Sequence, residues 1–131
     1  MVCQLAKSRR GPHVAFQALL YPATDFDPAA TAYPSRDRFS GGEYFFSTKD
    51  MVWFASLYLG DVARDAKDPR ASPILTRDLA GLPPALVVTC GSDILRDEGK
   101  AYADRLADAG VRVEYQWTRW TQRKPKCPSM W

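Results

Sequence analysis

The chain has 131 residues, 46% hydrophobic and 25% charged, which is the balance of one globular domain and excludes a disordered chain. It holds no apolar run near the roughly 20 residues that span a bilayer and no secretory-signal pattern, and Cys3, Cys90 and Cys127 with one histidine make neither a disulfide framework nor a zinc site. The net charge of +3 is uneven: residues 1–117 carry 14 Lys/Arg against 15 Asp/Glu, whereas 118–131 carry Arg119, Arg123, Lys124 and Lys126 and no acid.

These features predict a cytoplasmic protein with a near-neutral body over 1–117 and a basic, solvated tail over 118–131. Such a tail can meet nucleic acid or an acidic membrane, but a disordered end with no nucleic-acid partner is the expectation.

In chain order, residues 2–9 read as the end of a helix stopped by Gly11-Pro12. VAFQALLYP, 14 to 22, is a short apolar run bounded by breakers, as in a strand buried on both faces. Residues 23–42, rich in Pro, Asp, Ser and Gly, read as a long loop. Ser47 with Asp50 three residues on predicts a capping box. Met51, Phe54, Leu57 and Tyr58 then recur at helical spacing, and Gly60 supplies a stop. Residues 61–83 read as a second loop.

A second buried strand is expected from Ala85 to Thr89 or Cys90, followed by a helix from about Arg96 to Ala109. Tyr102, Leu106 and Ala109 line its apolar face, Asp97 and Glu98 occupy its first turn, and Gly110 ends it. VRVEYQW, 111 to 117, alternates as an edge strand with one wet face. The alternation of strands and helices predicts an α/β fold with about three parallel strands and crossover helices. The first strand, apolar on both faces, has a predicted neighbour on one side only, which leaves an edge suited to self-association.

LPPALVVTCGSDILRDEGKAYADRLADAGVRVEY closely resembles the C-terminal third of the hormone-sensitive-lipase-like family of α/β-hydrolases, which are esterases and lipases. FQALLYPATD and DPRASPI resemble the segments that precede it in that family. The resemblance covers roughly 2–117 and implies a partial α/β-hydrolase fold, a small-molecule ester as substrate, and no cofactor. In the family pattern Asp-x-Leu-x-Asp-Glu the first Asp is the acid of a Ser-Asp-His triad, which points to Asp93, with Leu95, Asp97 and Glu98 completing the motif. The aromatics Phe39, Tyr44, Phe45, Phe46, Trp53 and Phe54 fall where the family places part of a cap over the acyl pocket; ordinary helix packing explains them too.

The family's Gly-Asp-Ser-Ala-Gly elbow, His-Gly-Gly oxyanion motif and His-Gly-Phe loop have no counterpart in these 131 residues, and no Gly-x-Ser-x-Gly occurs. The expectation is a C-terminal fragment that retains only the triad acid and is inactive alone. His13 precedes the first strand, at the end opposite Asp93, so a surface role is expected of it. Ser92 reads as a turn cap and Cys90 as a small buried hydrophobe. Asp97 competes with Asp93 but is accounted for by the helix dipole. Two other readings stand: a pseudoenzyme or interaction module using the basic, Trp-containing tail, and a receiver-like domain with acids Asp25 and Asp93 at strand ends.

Overall fold

A computed structural model describes residues 1–41, 44 and 46–119. The chain runs α1 (Val2–Ser8), β1 (Gln17–Leu20), α2 (Pro34–Arg38), α3 (Thr48–Tyr58), α4 (Val62–Asp65), a 3₁₀ turn (Pro73–Leu75), β2 (Ala85–Cys90), α5 (Arg96–Asp108) and β3 (Val113–Thr118). Residues 120–131, most of the predicted basic tail, lie outside the described residues, as does Phe45.

The three strands form one parallel sheet in the order β1-β2-β3. Its registers run from Gln17↔Ala85 to Leu20↔Val88 and from Ala85↔Val113 to Cys90↔Thr118. β2 is central and takes the β-branched residues Val87, Val88 and Thr89, all buried. Side chains alternate across the sheet. Ala85 and Val87 point with Leu19, Val113 and Tyr115 into the main core, where Tyr102, Ala103 and Leu106 of α5 meet them. The other face presents Ala18, Leu20, Leu86 and the buried Val88. Of these, Ala18 and Leu20 are exposed and Leu86 is half-buried.

The expected strand over 14–22 is therefore shorter, and it is not buried on both faces. Among the described residues it pairs with β2 alone, and Leu20 stays 62% exposed. β3 alternates half-buried and exposed residues through Gln116, as its sequence pattern requires. Both predicted loops contain short helices, α2 and α4; four or five residues are too few to show a 3.6-residue period.

α3 starts at the predicted capping box. Ser47 Oγ accepts from the Asp50 N–H at 3.2 Å, and Asp50 Oδ2 accepts from the Ser47 N–H at 2.9 Å. Its buried face shares only Met51 with the four apolar residues at helical spacing. Met51 and Ala55 point inward, while Phe54, Leu57 and Tyr58 are exposed, together with Val52 and Trp53. Gly60 is not left-handed; the helix ends on Leu59 in extended backbone.

α5 ends where the sequence says it should. Gly110 has φ +78°, and the Val111 N–H reaches back to the Leu106 carbonyl at 3.0 Å, tucking Val111 into the core. Gly99 lets α5 approach the sheet: a Cβ there would lie 2.9 Å from Thr89 Cγ2. Alanine normally stabilises a helix interior by up to ~1 kcal/mol over glycine. Here Thr89 is buried and its hydroxyl is held by Tyr115 at 2.7 Å, so it cannot step aside freely. Gly99→Ala is expected to destabilise the chain by about 1–3 kcal/mol, read as a lower urea midpoint; an unchanged or raised midpoint would show that the contact is soft.

Candidate active site

The carboxyl end of β2 runs straight into a turn. Gly91 permits it: a Cβ there would press on the Trp117 ring at 3.1 Å. Asp93 sits in this turn. Its Oδ1 accepts from the Leu95 N–H at 2.9 Å, closing an Asx turn that leads into α5. Arg96 braces the same turn by donating to the Gly91 carbonyl at 3.1 Å. The second oxygen of Asp93 makes no hydrogen bond among the described residues. Burial pushes the Asp93 carboxyl up from its ordinary value, and the Leu95 N–H only partly opposes this.

Asp97 has a different position. Its Oδ2 accepts from the Ser35 N–H at 2.7 Å and its Oδ1 from Arg96 Nε at 2.7 Å. These bonds hold its carboxyl below the usual range even though its partial burial acts the other way. Both oxygens are committed to structure, so the helix dipole is not its only explanation. Ser92 is not the turn cap, because the Asp93 carboxylate performs that task. Cys90 is buried, 1% exposed. His13 is exposed before β1, whereas Asp93 follows β2. The six residues of β2, at about 3.3 Å each, put roughly 20 Å between the two ends. Asp25 accepts from the Tyr33 hydroxyl at 3.0 Å and from the Asp27 N–H at 2.9 Å, so it is buried structure rather than an open strand-end acid.

The residue that sequence reasoning undervalued is Glu98. It is 0% exposed. Arg36 donates to its Oε2 from Nη2 at 2.6 Å and from Nε at 3.0 Å, and the Thr24 and Asp25 N–H groups donate to its Oε1 at 2.7 and 3.2 Å. Burial pushes this carboxyl up, against the pull of Arg36 and the two backbone donors. One signal was available: 98, 102 and 106 fall at i, i+4 and i+8, on the apolar stripe, and a carboxylate on a buried stripe needs a partner.

Phe39 is buried with Met51, Ile94 and Leu95, directly behind the Asp93 turn, and Tyr44 and Phe46 pack against that cluster. Trp53 and Phe54 stand outside it, their rings 4.8 Å apart, with Phe46 at 6.0 Å from Phe54. Helix packing alone thus accounts for Phe39 but not for the two exposed rings. Cavities of about 430, 400 and 460 Å³ lie around α1, away from Asp93. No group of His, Cys, Asp and Glu among the described residues could hold a metal ion. No helix among them is long and apolar enough to cross a membrane.

The Asp93 geometry has a thermodynamic consequence. A carboxyl whose folded-state value is raised holds its proton more readily when folded, so its ionisation costs stability. That cost is absent below the unfolded value near pH 4 and is fully present above the folded value. Asparagine keeps the oxygen that accepts from Leu95 and removes the charge. Asp93→Asn is therefore expected to be at least as stable as the wild type at pH 7, the advantage disappearing below about pH 4. Urea denaturation at both pH values checks this, and a variant clearly weaker at pH 7 would contradict it.

A family model described as alpha/beta hydrolase fold matches residues 1–121. The chain is 41% identical over 121 residues to the carboxylic ester hydrolase LipN of Mycobacterium tuberculosis, covering 89% of this chain and 31% of that protein. It is 37% identical over 111 residues to the ethyl acetate hydrolase of Pseudomonas putida, covering 85% of this chain and 33% of that one. The crystal structure of a thermostable esterase from Pseudomonas putida superposes with a TM-score of 0.79 at 41% identity, over 88% of this chain and 35% of the esterase. EstE1, a carboxylesterase cloned from a metagenomic library, gives 0.83 at 35% identity, over 92% and 40%. The chain thus spans about a third of the length of these relatives. A parallel sheet with an acid at the tip of its central strand, matched along nearly its whole length, places the chain in the hormone-sensitive-lipase-like family of α/β-hydrolases.

Proposed function

We propose that this chain is the acid-bearing part of a carboxylic-ester hydrolase, with Asp93 as the member of a Ser-His-Asp triad that orients the histidine. The observation that carries this reading is the state of the Asp93 carboxylate. It stands at the carboxyl end of the central strand, where open parallel sheets gather their chemistry, with one oxygen held by Leu95 and the other without a partner among the described residues. An acid that orients a histidine needs that arrangement: one oxygen fixed by the protein, the other turned to the imidazole N–H. It keeps the ring in the required tautomer and stabilises the imidazolium while the serine attacks the ester carbonyl. Asp97 has no free oxygen to offer, and Glu98 is sealed from solvent.

The exposed rings of Trp53 and Phe54 suit the wall of an apolar pocket for a short acyl chain. The 131 residues contain no Gly-x-Ser-x-Gly, and their one histidine, His13, lies at the far end of the sheet, so they do not hydrolyse esters by themselves. Purified, the chain is expected to leave short-chain p-nitrophenyl esters intact; turnover that disappears in Asp93→Asn would refute this inactivity. The role of Asp93 is tested by grafting residues 85–117 into the Pseudomonas putida ethyl acetate hydrolase in place of its matching segment. Asp93→Asn in the active chimera should lower kcat by about 10⁴-fold with little change in KM. A chimera indifferent to that change would remove Asp93 from the mechanism.

We also propose that the 131-residue chain self-associates through β1. Its outer backbone edge is unpaired among the described residues, and Phe16 and Leu20 are 53% and 62% exposed. Sedimentation is expected to show concentration-dependent oligomers that Leu20→Lys weakens; a monomer at all concentrations would exclude the association.

A further inference from the structure

Two adjacent residues of α2 reach the turn that carries Asp93 and the first turn of α5 after it. Ser35 is fully buried, and its Oγ donates to the Ile94 carbonyl at 2.9 Å and accepts from the Asp97 N–H at 3.2 Å. Its own N–H donates to Asp97 Oδ2 at 2.7 Å. One small residue thus makes three hydrogen bonds to the segment immediately after Asp93. Arg36, next in sequence, is 5% exposed and holds Glu98 one residue further along α5. Arg36 is itself fixed, donating to the carbonyls of Asp25 at 2.5 Å and of Asp27 at 2.6 Å. Behind the turn, Phe39 packs on Ile94 and Leu95, and Arg96 lies 5.3 Å from its ring.

The backbone of 94–98 is therefore gripped from one side by α2, while the Asp93 side chain is attached to it only through the Leu95 N–H. We infer that Ser35 and Arg36 are positioning residues: by clamping Ile94, Asp97 and Glu98 they fix the Leu95 N–H and through it the direction of the Asp93 carboxylate. The clamp spans about sixty positions of sequence, so it forms only when the fold does. It rests on the triad-acid reading for its significance but not for its geometry. A serine suits the central position because its hydroxyl donates and accepts at once.

The test uses native-state hydrogen exchange of the 131-residue chain and the Asp93 13Cγ resonance at fixed pH. Ser35→Ala deletes both hydroxyl bonds and keeps the backbone one. It is expected to speed exchange of the Leu95 amide about tenfold relative to the Val87 amide of the central strand, and to move the Asp93 13Cγ signal towards that of a solvated aspartate. A purely structural role lowers both protections together and leaves their ratio and the Asp93 signal unchanged, as Leu106→Ala should; that result in Ser35→Ala would overturn the inference. If the alanine variant does not fold, Ser35→Cys, which is close in shape though slightly larger and a far weaker donor, carries the same expectation and the same refutation. The readout involves no turnover. An inactive graft would therefore leave the clamp standing, and an unmoved Asp93 would leave the esterase reading standing.

Discussion

A carboxylate removed wholly from water is tolerable only when every lone pair that loses a water gains a donor. Glu98 meets that condition through Arg36 and two backbone N–H groups, and the rest of the local architecture is arranged around it. The requirement brings residues 24–27, the short helix α2 and the first turn of α5 to one point. Breaking a buried pair by removing one partner costs about 3–5 kcal/mol, far more than an intact pair contributes over apolar packing. Its value lies in specificity: few alternative arrangements could supply four donors to that carboxylate.

Three acids lie within six residues of one another, and their surroundings give them three different states. Asp93 is partly desolvated and keeps an oxygen without a protein partner among the described residues. Asp97 is tied at both oxygens and held in its charged form. Glu98 is buried as half of an ion pair. Identical chemistry is sorted by environment, and only the first state leaves a carboxylate able to receive a histidine N–H.

Apolar surface divides in the same way. One face of the sheet is sealed by α5 into a continuous core, while Ala18 and Leu20 on the other face remain exposed. On α3, Met51 and Ala55 were enough to anchor the helix, leaving five large apolar side chains outside. Periodicity marked α3 correctly as a helix but did not tell which of its apolar positions face inward. When most positions of a helix are apolar, the sequence does not distinguish the stripe that meets a neighbour from the one that does not.

The strands, α5 with its glycine stop, and the capping box of α3 were legible in the sequence because each depends on interactions between residues a few positions apart. Asp93 was legible as the candidate acid because the residues around it match a family pattern. α2, the burial of Glu98 and the grip of Ser35 on the turn were not, since each joins groups about sixty positions apart through directional bonds that leave no local period. The sequence by itself determined which carboxylate stands at the strand tip; the tertiary structure alone decided which oxygens of Asp93, Asp97 and Glu98 stay open. That depends on where distant donors converge, and only the packed chain brings them together.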